Sequence, residues 1–170
     1  RHGLPLKPYS ELAEETFQFS PAVLKASDGT YLRGYWQNES YFSHIRSLLS
    51  SEFTVKHTPS SENLAMAKLI HRNESVSLHI RRGDYVTNPE FYQHHGTCSL
   101  EYYHTSIEKL TRMIKAPHFF VFSDDIEWAQ QNLLVDYPVT YVTHNGIERD
   151  YEDFRLMKQC NHHIIANSTF

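Results

Sequence analysis

Residues 76–86 read VSLHIRRGDYV, a mostly apolar run followed by two adjacent arginines and an aspartate. A short run of this kind is typical of a strand that is buried on both faces of a parallel sheet. Ligands of such sheets bind at the carboxyl ends of the strands, which is where the arginines lie in this sequence. The stretch therefore predicts a parallel sheet with a charged site at its edge.

The segments around this run alternate between strand and helix patterns. Serines at the start of two of the helical segments, including Ser99, are suitable N-caps. The predicted strands are 75–80, 118–123, 139–142 and 162–167, and the predicted helices are 41–53, 60–72, 99–115, 124–133 and 150–160. This alternation predicts βαβ units and an α/β fold with a mostly parallel sheet. Residues 1–40 are predicted to be irregular, with a strand-like segment at 15–24 and a turn at 27–30.

Composition limits the classes of partner. The 170 residues include 16 Lys and Arg against 20 Asp and Glu, a net charge of −4, so no overall positive field attracts nucleic acid or an anionic membrane surface. An anionic ligand therefore needs a local site. No apolar run is long enough to span a bilayer, and Cys98 and Cys160 are too few for a disulfide framework, although a bond between them stays open.

Polar residues follow three of the predicted strands at comparable positions. Because the carboxyl ends of parallel strands meet at one edge of a sheet, we expect these residues to line a single crevice. They are His79, Arg81, Arg82 and Asp84 after the first strand, Ser123, Asp124 and Asp125 after the second, and Asn167, Ser168 and Thr169 after the last.

The chemistry of these side chains favours a nucleotide. An arginine binds two phosphate oxygens at once, and Asp84 is placed to hold such an arginine in its working orientation. The hydroxyl and backbone N–H groups of Ser168 and Thr169 also suit phosphate. Asp124 and Asp125 are able to accept hydrogen bonds from a base or a ribose. The combination predicts a bound nucleotide whose phosphates face the arginines.

Each of these patterns has a structural alternative. The sequence Arg-Arg-Gly-Asp also occurs in solvated turns with a surface ion pair. The acidic pair 124–125 and the hydroxyl pair 168–169 are equally suited to capping the helices that follow them. Tyr35, Trp36 and Tyr41 are interpreted as packing residues, with a platform for stacking sugars as the alternative.

A zinc site is a further alternative, because the sequence contains 12 histidines. Two clusters contain ligand types that zinc accepts, but neither has the paired-cysteine spacing of a zinc knuckle. The clusters are His94, His95 and Cys98, and Cys160, His162 and His163.

Four stretches of the sequence resemble motifs of a known family. SLHIRRGDYV resembles the H-x-R-R-x-D motif of the inverting α-1,2-fucosyltransferases of glycosyltransferase family 11. GYWQNESYF, FFVFSDDIEWAQQNL and DYEDFRLMKQCNHHIIANSTF resemble three further stretches of the family in the same order, so the resemblance covers residues 31–170. The family's Gly-rich amino-terminal stretch and Trp-rich continuation are not in this sequence, and the chain is expected to be an internal fragment of such an enzyme.

The resemblance implies a GT-B fold, in which a Rossmann-like domain holds GDP-fucose and a second domain faces the acceptor. Residues 1–74 would be the end of the acceptor-side domain with the linking helices. Residues 75–170 would be the GDP-fucose-binding Rossmann-like domain, truncated at its carboxyl end.

The resemblance also implies roles for the matched residues. Arg81 resembles the arginine that neutralises the β-phosphate, and Arg82 and Asp84 would orient that site. Arg81 and Asp84 form the expected catalytic set, with Asp84 as a positioning group, and no carboxylate is singled out as the base. The other expected contacts are His79 beside the nucleotide, Asp124 or Asp125 at guanosine, and Ser168 and Thr169 at the pyrophosphate.

The implied reaction moves L-fucose from GDP-β-L-fucose to the 2-hydroxyl of a terminal β-galactoside, without a metal or another cofactor. The alternatives are the nucleotide-binding domain of an α-1,6- or protein O-fucosyltransferase, and a domain that only binds a nucleotide or sugar. Without its flanks, the fragment is expected to bind GDP weakly and to be inactive. The expected location is the cytoplasm or the inner-membrane surface in a bacterium, and the Golgi in a eukaryote.

Overall fold

The computed structural model describes residues 10–87 and 96–168, apart from the side chain of Asp84. The chain forms two compact units, Arg1–Thr54 and Val55–Phe170. The boundary predicted between residues 74 and 75 concerns the roles of two domains in a longer protein, and it stays a prediction. No helix in the described ranges is both long and apolar enough to cross a membrane.

The first unit contains a small parallel ladder and several single turns of helix. Strands β1 (Glu11–Ala13) and β2 (Tyr31–Arg33) pair in parallel. The turn predicted at 27–30 is confirmed, since the N–H of Thr30 donates to the carbonyl of Ser27 and Gly29 has φ +81°. The predicted helix 41–53 is shorter than expected, because α1 covers only Arg46–Glu52. Turns of 3-10 helix occupy Val23–Lys25, Glu39–Tyr41 and Ser43–Ile45.

The strand-like prediction for residues 15–24 is wrong. Phe17 and Phe19 alternate with polar residues as in a strand, but the side chain of Phe17 is 69% exposed and has no sheet face to cover. Pro21 lacks a backbone N–H for a ladder. Trp36 and Tyr41 form an edge-to-face pair with ring centroids 5.8 Å apart, which supports their interpretation as packing residues.

The second unit is built on a parallel sheet of four strands, as predicted. The order in space is β5-β4-β3-β6, so the two long strands are central and the two short ones lie at the edges. Residues 74–80 of β3 pair in register with residues 117–123 of β4. The strands are β3 (Glu74–Ile80), β4 (Pro117–Ser123), β5 (Val139–Tyr141) and β6 (His162–Ile164).

Five α-helices accompany this sheet within the described residues, and four of them were predicted. Ser60 and Ser99 cap two helices as expected, because their hydroxyls accept the N–H groups of Asn63 and Tyr102. The sequence pattern did not predict α3, which begins at Gly83, a poor helix former. The helices are α2 (Ser61–His71), α3 (Gly83–Thr87), α4 (Leu100–Thr111), α5 (Ile126–Asn132) and α6 (Asp150–Met157).

The core of this unit lies on both faces of β3 and β4, which makes a three-layer α/β arrangement. On one face, apolar side chains of β3 and β4 pack against α4 and α5, with Tyr103 and Ile107 among their contacts. On the other face, Phe120 and Phe122 of β4 pack against Ile70, Leu156 and neighbouring residues of α2 and α6. Because helices cover both faces, the carboxyl-terminal edge of the sheet is left as the place for a ligand.

Candidate functional site

A cleft of about 520 Å³ lies at the carboxyl ends of the central strands, inside the second unit. Its walls come from the ends of β3 and β4, from the loop after β5 and from the first turn of α6. The described lining residues are His79, Arg81, Gly83, Phe122, Ser123, Asp124, Asn145, Gly146, Ile147, Asp150 and Asp153. The strand ends therefore form a concavity with an arginine on one wall and carboxylates on another. Of the residues expected to share one crevice, His79, Arg81, Ser123 and Asp124 line it.

Arg81 is held in this cleft by Asp124. Its Nη1 lies 3.2 Å from Oδ2 of Asp124, and the two side chains are 34% and 24% exposed. The other carboxylate oxygen, Oδ1, accepts the backbone N–H of Arg82 at 2.8 Å. One aspartate at the end of β4 thus fixes both the guanidinium of Arg81 and the turn that follows β3. Asp84 was expected to orient Arg81, but its side chain lies outside the described part of the chain.

Arg82 lies elsewhere, although it is adjacent to Arg81 in sequence. Its Nε lies 3.3 Å from Oδ2 of Asp125, and its Cζ lies 3.7 Å from the ring centroid of Trp128 on α5. Asp125 also caps α5, since its Oδ1 accepts the N–H of Trp128 at 3.2 Å. Neither Arg82 nor Asp125 is among the described residues that line the cleft. Their predicted contacts with the nucleotide stay predictions.

His79 lies on the floor of the cleft and is 7% exposed. Burial lowers its pKa, an effect that the charge of Asp124 opposes and the charge of Arg81 reinforces. The imidazole is therefore neutral at pH 7, and a neutral ring both donates and accepts a hydrogen bond. The hydroxyl of Tyr103 donates to the backbone carbonyl of His79 at 3.2 Å, which anchors this end of β3.

The opposite wall contains residues that the sequence reasoning missed. Asn145 follows β5, and Asp153 lies in α6 with its carboxylate accepting the Asn145 amide at 2.8 Å. Burial raises the pKa of Asp153 to about 6, helped by the charges of Asp150 and Glu152 and opposed by the Asn145 hydrogen bond. A carboxyl group with such a pKa in a cleft is typical of functional sites. The polar residues after 139–142 were a signal for this wall, because the strand-end rule applies to that strand too.

The predicted hydroxyl residues do not all lie in the cleft. Ser123 lines the cleft, and its hydroxyl accepts the N–H of Asp125 at 3.0 Å. Ser168 follows β6, on the other side of β3 from β4, and is not among the described lining residues. Thr169 lies outside the described residues. The phosphate contacts expected of this pair stay predictions.

The described residues do not support the zinc alternative. They include no group of three or more side chains able to hold a metal ion. Instead, His162 pairs with Glu74 at 2.8 Å and His163 bonds to the Ser77 hydroxyl at 2.8 Å. Cys160 is buried, and burial raises the pKa of its thiol to about 12. His94 and His95 lie outside the described residues.

Comparison with known proteins identifies the family of this chain. An Escherichia coli alpha-1,2-colitosyltransferase is 38% identical over 92% of this chain and 54% of that protein. The Escherichia coli O-antigen biosynthesis glycosyltransferase WbnK is 33% identical over 86% of this chain and 50% of that protein. The mouse galactoside alpha-(1,2)-fucosyltransferase 2 is 29% identical over 84% of this chain and 43% of that protein.

The chain thus spans about half the length of the curated relatives it matches. No solved structure matches it. The parallel α/β sheet with a cleft at its carboxyl edge is consistent with a GT-B-like fold. The profile of Glycosyl transferase family 11 matches residues 4–170, and the chain belongs to that family.

Proposed function

We propose that the protein transfers L-fucose from GDP-β-L-fucose to the 2-hydroxyl of a terminal β-galactoside, with inversion at the sugar carbon. Membership of the family supports glycosyl transfer, and the mouse relative is named for α-1,2-fucosyl transfer to galactosides. The Escherichia coli relative named as a colitosyltransferase favours a second candidate, the transfer of colitose. Colitose is L-fucose without its 3-hydroxyl, so both candidates require closely similar donor sites.

The observation that carries the proposal is the Arg81–Asp124 pair inside a cleft at the end of a parallel sheet. A volume of about 520 Å³ is in the usual range of small-molecule sites. The guanidinium supplies paired donors for phosphate oxygens. The carboxylates of Asp150 and Asp153 accept hydrogen bonds from the N–H groups of a base or from sugar hydroxyls. A nucleoside diphosphate sugar presents both kinds of group.

In the proposed reaction, the bond between the sugar carbon and the β-phosphate oxygen breaks as the galactoside oxygen bonds to the opposite face. Positive charge develops on the sugar ring, as in glycoside hydrolysis, and negative charge develops on the departing GDP. Arg81, oriented by Asp124, stabilises that negative charge. The other products are GDP and the proton of the attacking hydroxyl.

We infer that this chemistry needs no divalent cation, because the guanidinium supplies the positive charge at the leaving group. His79 would contact the nucleotide beside Arg81. Asp84, Ser168 and Thr169 are proposed as further contacts or positioning groups, in line with the family motifs that they match. Arg82 is proposed to orient the site through its packing on Trp128. Residues 1–74 are proposed to belong to the acceptor side.

The test is transfer of labelled fucose from GDP-fucose to a β-galactoside by the full-length protein, with GDP-colitose as a parallel donor. We expect an α-1,2 product by NMR and undiminished activity in EDTA. Efficient transfer from GDP-colitose alone would select the second candidate. A different linkage, or hydrolysis of the donor without transfer, would contradict the proposal.

A further inference from the structure

We propose that Asn63, at the start of α2, is a positioning residue for the cleft: acting through Asn145, it fixes the Asp153 carboxylate in place. Asn63 itself does not line the cleft. The effect on ligand binding rests on the proposed function, whereas the link from Asn63 to Asp153 does not.

The two asparagines form a reciprocal pair. Nδ2 of Asn63 donates to Oδ1 of Asn145 at 2.9 Å, and Nδ2 of Asn145 donates to Oδ1 of Asn63 at 3.0 Å. Asn63 is 1% exposed, so each unmade hydrogen bond of its amide would cost free energy. This cost gives the pair a strong preference for one arrangement.

Two neighbours fix the orientation of the Asn63 amide. Nε2 of His144 lies 2.9 Å from Oδ1 of Asn63, and only a ring N–H can donate to that oxygen. The Ser60 hydroxyl accepts from both the backbone N–H and the Nδ2 of Asn63, at 3.2 and 3.3 Å. In the tautomer with the proton on Nε2, His144 donates to Oδ1, and a flipped amide would place its NH₂ group against the donors of His144 and Asn145. The orientation shown therefore satisfies every donor and acceptor of the Asn63 side chain.

The orientation of Asn145 follows from that of Asn63. One hydrogen of its NH₂ group points to Asn63, which leaves the other to donate to Oδ1 of Asp153 at 2.8 Å. Without Asn63, the Asn145 amide loses both of its hydrogen bonds to Asn63, and among the described contacts of this side chain only the bond to Asp153 remains. A buried amide on α2 therefore anchors the group that holds the Asp153 carboxylate in the cleft wall.

Charged groups surround Asp153 on several sides. Asp150 and Glu152 on the same helix raise its pKa, and the Asn145 amide lowers it. Arg155 offsets part of this negative charge, since its Nε lies 3.4 Å from Oε2 of Glu152. The other titratable side chains among the described residues that line the cleft are His79, Arg81 and Asp124. The Asn145 hydrogen bond is therefore a main stabiliser of the Asp153 carboxylate, and its loss should be measurable as a higher pKa.

The test is an NMR titration of the Asp153 carboxyl carbon in the full-length protein, with and without Asn63→Ala. We expect the substitution to raise the pKa of Asp153 by about 0.5 or more, because a hydrogen bond to the charged form is weakened. Asn73→Ala is the matched control, since Asn73 follows the same helix and its amide donates only to the Leu69 carbonyl among the described contacts. The control should leave the titration unchanged.

Asn145→Ala tests the same link and leaves α2 intact if Asn63→Ala does not fold. The double variant, Asn63→Ala with Asn145→Ala, should raise the pKa of Asp153 no further than Asn145→Ala alone. Both substitutions act on the same hydrogen bond, from the Asn145 amide to Asp153. An unchanged Asp153 titration in the Asn63 or Asn145 variant, or full additivity, would overturn the inference.

GDP binding separates this inference from the proposed function. If the function is right, calorimetry should show GDP affinity at pH 7 lower by roughly fivefold in Asn63→Ala and unchanged in Asn73→Ala. If the unaltered protein does not bind GDP, the proposed function fails, and the carboxyl titration still decides whether Asn63 positions Asp153.

Discussion

Gly83 and Asp124 approach each other so closely that a Cβ atom on Gly83 would lie 2.5 Å from Oδ2 of Asp124. That oxygen is the one that pairs with Arg81. The glycine of the Arg-Arg-Gly-Asp sequence therefore leaves room for the carboxylate that orients the arginine. Glycine at position 83 is therefore a requirement of the site, and its φ is outside the left-handed range in which the backbone itself favours glycine.

Replacing Gly83 with alanine should displace the Asp124 side chain and break its contact with Arg81. We expect Gly83→Ala to weaken GDP binding on the order of tenfold, measured by calorimetry. Because Gly83→Ala acts by displacing the Asp124 side chain, it should weaken GDP binding little further in a protein that already contains Asp124→Ala. Equal effects of Gly83→Ala in the presence and absence of Asp124 would contradict this explanation.

Gly146→Ala is the structural control for that substitution. Gly146 also lines the cleft, but a Cβ atom there meets no heavy atom within 4 Å, and its φ of −85° suits any residue. The free energy of unfolding of the Gly146→Ala variant should differ from that of the unaltered protein by less than about 0.5 kcal/mol. A large loss of stability in Gly146→Ala would show that an added methyl group disturbs the cleft even where it does not meet Asp124.

The two adjacent arginines should respond differently to substitution. Arg81→Ala should lower the transfer rate on the order of 100-fold, as expected for a donor to developing negative charge. Arg82→Ala should mainly destabilise the fold, by roughly 1 kcal/mol, because its guanidinium packs on Trp128 and pairs with Asp125. Kinetics and urea unfolding of both variants check this division. Equal losses of rate at matched stability would show that Arg82 also serves the ligand.

The fold was predictable where burial leaves a clear pattern in the sequence. Strand β4 is covered on both faces and reads as a nearly continuous apolar run, whereas β3 alternates apolar residues with buried Ser75, Ser77 and His79. The carboxyl ends of both strands locate the cleft. The wrong prediction at 15–24 had no such burial, because Phe17 is largely exposed. Alternation of Phe17 and Phe19 alone does not distinguish a strand from a loop.

The site was predictable only in part, because pairing across strands depends on register. Ile80 lies opposite Ser123, which brings Arg81 beside Asp124, and no sequence spacing gives that register. Consecutive residues after a strand also point in different directions, so Arg81 and Arg82 separate. Asp153 was hidden because acidic residues in the first turns of a helix are common partners of the helix dipole.

Asp125 offers a test of capping against ligand contact. Its carboxylate caps α5 through the N–H of Trp128, so Asp125→Ala should lower the free energy of unfolding by about 1 kcal/mol. Ser99→Ala, which removes the cap of α4, is the matched control and should cost a similar amount. We expect GDP affinity to stay within about twofold in both variants. A selective loss of GDP affinity in Asp125→Ala would favour the predicted contact with guanosine instead.

The raised pKa of Asp153 predicts a pH-dependent stability with a definite sign. Its folded-state pKa of about 6 exceeds the ordinary value of 3.8, so the folded state binds the proton more tightly than the unfolded state. The contribution of Asp153 to stability is therefore fully present below pH 4 and is lost as the pH rises through 6. Asp153→Asn removes the ionisable group, so this stability is no longer lost as the pH rises. The substituted amide keeps an oxygen that accepts the Asn145 hydrogen bond.

Urea unfolding at pH 4 and pH 8 tests this sign. Relative to the unaltered protein, Asp153→Asn should be more stable by about 2 kcal/mol at pH 8 and nearly equal at pH 4. Asp136→Asn, which removes the same charge from an exposed loop position, should leave the difference between the two pH values unchanged. If Asp153→Asn raised the free energy of unfolding equally at both pH values, the pKa of the Asp153 carboxyl would not be near 6. The cleft would then stabilise the ionised carboxylate more strongly than the Asn145 hydrogen bond alone allows.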